Sequence, residues 1–139
     1  MTRILAAAIL AAVASTAAQA QDLFAKPQTA ADQDDVYFIA QLKVDDMEAF
    51  QSGYVLPVAQ MLGETSALVL AVTPAPQVVE GAWDSNWTVL MRFDSQADFD
   101  AFYEDETYQE QFIPLRTSAA SINNVVILPA FDPAVFAQN

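Results

Sequence analysis

Two stretches of this chain, Val36 to Val44 and Ile122 to Leu128, carry apolar side chains on both of the faces that a β-strand presents. Tyr37 and Ile39 stand opposite Val36, Phe38 and Ala40, and Val125 and Ile127 stand opposite Val126 and Leu128. A sheet that contains such strands has no face to leave in water, because monomers seldom expose more than a few hundred Å² of contiguous apolar surface. Helices must cover one side, and something of equal extent must cover the other. The natural cover is a second copy of the same sheet across a two-fold axis, so a homodimer is expected.

The segments between these strands supply the helices. Asp45 and Glu48 have the spacing of a capping box, and Met47, Phe50, Tyr54, Val58 and Met61 recur at three- and four-residue intervals. This predicts an amphipathic helix of about four turns, kinked by Pro57 and ended by Gly63. Ala67 to Val72 starts a second strand, which Thr73-Pro74-Ala75-Pro76 interrupts and Gln77 to Glu80 resumes. Two prolines place that strand at an edge or a bulge. Gly81 to Ser85 turns the chain. Trp87, Val89, Met91 and Phe93 then alternate with Asn86, Thr88, Leu90 and Arg92, the clearest strand pattern present. Ser95 with Asp98 and Thr107 with Glu110 are two further capping boxes. They open a second helix in two pieces, one through Phe99, Phe102 and Tyr103 and one through Phe112 and Leu115, with Pro114 bending it. A last strand stops at Pro129. The order β-α-β-β-α-β is that of the ferredoxin-like α+β arrangement, in which both helices cover one face of a four-stranded antiparallel sheet.

In front of this domain, Arg3 precedes an apolar run from Ile4 to Val13 and the small-residue sequence Ala18-Gln19-Ala20. These are the three parts of a secretory signal peptide cleaved after Ala20. The run is shorter than the roughly 20 apolar residues that span a bilayer. A soluble product, sent by the general secretory route to a bacterial periplasm, is therefore expected. Residues 21–35, which carry Pro27 and end in Asp32, Asp34 and Asp35, read as a flexible leader, 36–131 as the folded domain and 132–139 as a short tail.

Composition removes whole classes of function. The chain has 18 acidic side chains against five cations, a formal charge of −13. Such a surface repels phosphate backbones and anionic lipid headgroups, so neither nucleic acid nor, after signal cleavage, membrane is an expected partner. With no histidine and no cysteine there is no Ser-His-Asp or Cys-His nucleophile, no imidazole or thiolate zinc site, no His or Cys haem ligand and no redox dithiol. The expectation is a site without metal or resident cofactor. Asp94, Asp98, Asp100, Glu104, Asp105, Glu106 and Glu110 lack the spacing of a calcium loop and read as a solvated helix face. Asn86-Trp87-Thr88 matches a glycosylation acceptor but falls inside a strand.

From Val36 to Phe131 the chain resembles the small proteins of domain-of-unknown-function family thirteen-thirty, within the dimeric α/β-barrel superfamily. The resemblance is carried by Val79-Glu80-Gly81 with Trp83, by Phe93-Asp94-Ser95, by Phe102-Tyr103, by Tyr108-Gln109 and by Pro114-Leu115-Arg116. It departs at Gly63-Glu64-Thr65-Ser66, where such proteins typically carry a Gly-Gly-Arg-like start to the second strand. The resemblance implies a ferredoxin-like fold that dimerises into an α/β barrel. It does not imply one activity, because the wider superfamily includes cofactor-independent monooxygenases, haem-degrading enzymes and plain binding or stress proteins.

Glu80, Trp83, Arg92 and Arg116, with Tyr54, Trp87, Tyr103 and Tyr108, are the residues expected to line a cleft between sheet and helices. Two arginines within core-forming elements call for partners, and Glu80 is the carboxylate expected to pair with Arg116 or Arg92. Such a pair beside an aromatic wall would orient a small aromatic or anionic ligand through the bidentate guanidinium fork. The plainer reading has the same pair tying strands to the last helix and the aromatic rings filling the core. Three functions follow: a binding protein for such a molecule, a cofactor-independent monooxygenase or isomerase with substrate and oxygen held near Trp87 and Asn86, and a structural or stress-related partner-binding module.

Overall fold

The computed structural model describes residues 34–132, so the expected signal peptide, most of the leader and the end of the tail lie outside the described residues. Four strands, β1 (Val36–Val44), β2 (Leu68–Thr73), β3 (Trp87–Phe93) and β4 (Ala120–Pro129), form one antiparallel sheet in the order β2-β3-β1-β4. That is the ferredoxin-like topology. The two apolar strands sit side by side, with Phe38 opposite Ile127 and Ile39 opposite Val126.

Both helical segments are interrupted in the same way. The first runs as α1 (Met47–Phe50), a π-helical turn (Gln51–Val55) and α2 (Leu56–Leu62). The second runs as α3 (Gln96–Tyr103), a π-helical turn (Tyr108–Phe112) and α4 (Ile113–Ala119). In each, a proline is the second residue after the π-turn: Pro57 in α2 and Pro114 in α4. The Leu56 N–H reaches back five residues to Gln51, and the Ile113 N–H reaches back five to Tyr108. The wider turn takes up the defect that a proline makes in a helical ladder, where an N–H is missing and the ring crowds the preceding turn. The kinks expected at Pro57 and Pro114 thus take the form of π-turns.

Several local readings need correction. Asp46, not Asp45, caps α1 by accepting from the Ala49 N–H at 3.0 Å, while the Asp45 N–H is spent on the Ala119 carbonyl. Ser95 caps α3 as its sequence suggests. Thr107 makes no capping bond, and Asp105 takes that place by accepting from the Tyr108 N–H at 3.0 Å. β2 ends at Thr73 and does not resume at Gln77–Glu80; the stretch from 74 to 86 is a loop in which Gly81 adopts φ +76°, a conformation costly for any other residue. β2 is an edge strand with a register shift between Val69 and Ala71, the outcome its prolines foreshadow. β4 starts two residues earlier than expected, at Ala120.

The helices cover the sheet face that carries Val36, Phe38, Ala40, Leu42 and Val44. Phe50, Phe93 and Tyr108 are fully buried there, and Phe102 stacks on Phe93 at a centroid distance of 5.8 Å and meets Tyr108 at a tilt at 4.5 Å. Asn86 extends the ladder beyond β3. Its side-chain amide donates to the Val44 carbonyl at 2.8 Å and accepts from the Val44 N–H at 2.6 Å, so it acts as a strand fastener. The opposite face presents Tyr37, Ile39, Leu90, Val126 and Leu128, of which Val126 and Leu128 are half exposed. Although the chain carries 18 acidic residues, not one lies in any of the four strands.

Candidate functional site

Between the helix-covered face and the α1–α2 segment lies a cavity of about 250 Å³. Its floor is the inward row of the sheet, Phe38, Ala40 and Leu42 from β1 with Trp87, Val89 and Met91 from β3. Val58, Ala59 and Leu62 of α2 form the roof, and Val69 and half-exposed Val72 of β2 form the rim. One charged side chain lines it, Arg116 of α4.

Arg116 is 95% buried, at 5% exposure. Its Nη1 donates to the hydroxyl of Tyr108 at 3.1 Å and to that of Tyr54 at 3.4 Å, and the two hydroxyls are 3.0 Å apart. The guanidinium also sits over the Tyr54 ring, 5.8 Å from its centroid. Tyr103 completes the group: its ring lies 5.5 Å from that of Tyr108, and its phenol is among the oxygens that favour the charge on Arg116. Tyr54 stands on the first π-turn and Tyr108 on the second, so the paired helical irregularities bring both phenols to the same cation. π-turns recur at functional sites for this reason, since one extra residue re-aims the side chains around it.

The electrostatics of the cluster follow from burial. Desolvation is the main cause that pushes the Tyr108 phenol far above its ordinary range, and the pull of Arg116 in the other direction does not prevail. Tyr108 is therefore a hydrogen-bond donor and not a base. For Arg116 burial is again the largest influence and opposes the charge, but the tyrosine oxygens outweigh it and its pKa moves up. The guanidinium stays ionised, as arginine does at any physiological pH. Its Nε is buried and has no hydrogen-bond partner among the described residues. No aspartate or glutamate lines the cavity.

The eight expected site residues are divided among three places. Tyr54, Trp87, Tyr108 and Arg116 line the cavity, with Trp87 edge-on to Phe50 at 5.5 Å, and Tyr103 packs against Tyr108 outside the lining. Glu80 and Trp83 lie on the 74–86 loop, where they border a separate surface hollow, and the Trp83 indole donates to Thr88 at 3.1 Å. Arg92 lies on the other face of the sheet, opposite Tyr37 and Leu68, and pairs with Asp35 at 3.6 Å and Asp94 at 3.4 Å. The expected Glu80 pairing with Arg116 or Arg92 is absent among the described residues. It rested on a strand at Gln77–Glu80, and the loop there leads Glu80 away from both arginines. Sequence alone does not single out the aliphatic lining of Val69, Val72 and Val89, although the alternation along β3 and the register of β2 put all three on the helix side.

No curated protein matches the chain in sequence at a significant level. Among solved structures, the RPA0582 protein of unknown function from Rhodopseudomonas palustris is similar at 17% identity and a TM-score of 0.56, over 73% of this chain and 86% of that one. A candidate antibiotic biosynthesis monooxygenase from Caulobacter crescentus is similar at 16% identity and a TM-score of 0.51, over 72% of this chain and 92% of that one. At such identities the likeness is one of fold. A sequence model of a domain of unknown function, DUF1330, matches residues 35–131, and the chain belongs to that family.

Proposed function

We propose that this protein binds a small, mainly apolar anion in the cavity between sheet and helices, with Arg116 as the anchor and Tyr54 and Tyr108 as the groups that hold the anchor in place. The observation that carries this reading is a buried guanidinium, at 5% exposure, in a cavity without a carboxylate. Burying an ion costs several kcal/mol that a matched counter-charge offsets, and the chain supplies none inside the cavity. An apolar cavity of about 150 Å³ accommodates benzene, so 250 Å³ suits one substituted ring or a short chain. The same geometry speaks against the oxygenase or isomerase reading: Tyr108 is held protonated and no carboxylate lines the cavity to take up a proton. Arg116 and the tyrosines replace Glu80 and Trp83 as the centre of the site.

Export to a periplasm follows from the first 20 residues as read above, and no helix among the described residues is long and apolar enough to cross a membrane. The protein acts as a homodimer in which the uncovered sheet faces meet. The support for this is the apolar row of Tyr37, Ile39, Leu90, Val126 and Leu128 on a sheet that has no acidic residue and whose only charges, Lys43 and Arg92, are both positive.

A direct test uses Trp87 as reporter. In the Trp83→Phe background Trp87 is the single tryptophan and lies in the cavity wall. Titration with 4-nitrobenzoate, 4-nitrophenolate and 4-nitrophenylphosphonate should quench it saturably for at least one of the three, and for none of them in Arg116→Met. Absence of saturable quenching by all three would refute the proposal.

A further inference from the structure

Resting on the proposed site, we infer that its ligand is rod-shaped, an amphiphile with one polar head and an unbranched body, which enters head first at the β2 edge and lies across the strands. The floor of the cavity leads there. Three inward residues line up from strand to strand: Ala40 of β1 pairs with Val89 of β3, and Val89 pairs with Val72 of β2. On either side of this row the floor is bulkier, with Phe38 beside Met91 on one flank and Leu42 beside Trp87 on the other. Same-face neighbours along a strand stand about 7 Å apart, so the two flanks confine a lane about one side chain wide.

The two ends of this trough differ. Of the residues that line the cavity, Val72 and Ala59 of the α2 roof are the two that are exposed, which makes the β2 end the mouth. β2 is an edge strand, so among the described residues no strand continues the sheet beyond Val72. At the inner end α4 packs on β4 and α1, on the far side of the sheet from β2, and carries Arg116 to the tyrosine pair. The charge therefore stands at the inner end and the apolar valines lead out to water.

From β1 to β2 the trough crosses two inter-strand spacings, about 10 Å. An extended chain of single bonds advances about 3.5 Å in three bonds, so about eight carbons fill that length and any further ones emerge past Val72. A branch has no place in the lane, because it would have to displace Phe38 and Met91 or Leu42 and Trp87. Ala40 is the residue that keeps the inner end open: it is buried in the floor between Phe38 and Leu42, and a larger side chain there would take the space of the ligand.

The test holds the head constant and varies the body. Octanoate, its branched isomer 2-propylpentanoate, and 1-octanol, which keeps the body without the charge, are titrated into the 21–139 chain by calorimetry. Octanoate is expected to bind at least about tenfold tighter than the branched isomer. From butanoate to octanoate the affinity should rise by about fourfold per methylene, and from decanoate to dodecanoate it should level off. Ala40→Val should weaken octanoate by about tenfold. Ala59→Phe, at an exposed position that tolerates the change, should weaken dodecanoate by about tenfold and leave hexanoate unchanged. A branched isomer that binds as well as octanoate, an affinity that keeps rising past decanoate, or unweakened dodecanoate binding by Ala59→Phe overturns the rod-shaped assignment and leaves the anion site standing. Octanol binding as tightly as octanoate overturns the anion site and leaves the trough standing, and no binding by any chain overturns both.

Discussion

Arg116→Met should make the protein more stable and abolish ligand binding, a combination that a structural arginine does not produce. The substitution removes donations of 3.1 and 3.4 Å to Tyr108 and Tyr54, each worth about 1.5 kcal/mol at the weak end of the range for charged groups. It also removes an ion whose burial costs several kcal/mol and an orphan Nε that costs about 1–3 kcal/mol more. The phenols lose little, because their hydroxyls remain 3.0 Å apart and bonded to each other. Replacing a whole buried ion pair by apolar side chains of similar volume is often neutral or stabilising by about 1–4 kcal/mol, and Arg116→Met leaves no partner carboxylate stranded in the cavity. A net gain of about 1 kcal/mol raises Tm by about 4–8 °C in a domain of this size. Circular dichroism melting reads the first half and Trp87 quenching the second. A fall in Tm of more than about 8 °C, with ligand affinity unchanged, would show that Arg116 is scaffold and refute the reasoning.

Three other outcomes follow from particular contacts. Tyr108 keeps its proton in the folded state at pH values where the unfolded chain loses it, so stability should fall as pH rises above about 10, by up to about 1.4 kcal/mol per unit; Tyr108→Phe should flatten that part of the slope in urea titrations. Asn86→Ala strips both side-chain bonds from Val44 and should cost about 2 kcal/mol, read as a lower urea midpoint with the slope unchanged. Val126→Glu puts an acid in the middle of the acid-free sheet face, opposite Ile39, and should shift the protein from dimer to monomer in sedimentation velocity with little change in far-ultraviolet spectrum.

The sequence is most informative where periodicity and burial agree. Strand β3 alternates cleanly because one row, Trp87 to Phe93, meets the helices and the other does not, and the pattern reads out directly. The doubled apolar rows of β1 and β4 likewise mark the two adjacent strands at which both sheet faces are apolar. Loop geometry is less legible. Val78, Val79 and Glu80 have strand-like character, yet all three lie on an exposed loop, and the misplaced strand carried the expected ion pair with it. The π-turns left a trace that periodicity alone misreads: Pro57 and Pro114 mark the interruptions, but a proline in a helix predicts a bend and does not say that the preceding turn widens. Five of the eight expected site residues converge because Tyr54, Tyr103, Tyr108 and Arg116 ride on the helical segments that cover the sheet and Trp87 stands in the inward row of β3 beneath them. Which partner Arg116 takes depends on a three-dimensional meeting of Tyr54 and Tyr108, 54 residues apart, and no local spacing encodes that.

A crystal of the 21–139 chain soaked in 4-bromobenzoate and measured at the bromine absorption edge addresses the anion site most directly. The account predicts an anomalous peak between Val58, Val69 and Val89, with the carboxylate against Arg116. Bromine bound only elsewhere, or a cavity closed by its own side chains around an unmoved Arg116, would contradict it.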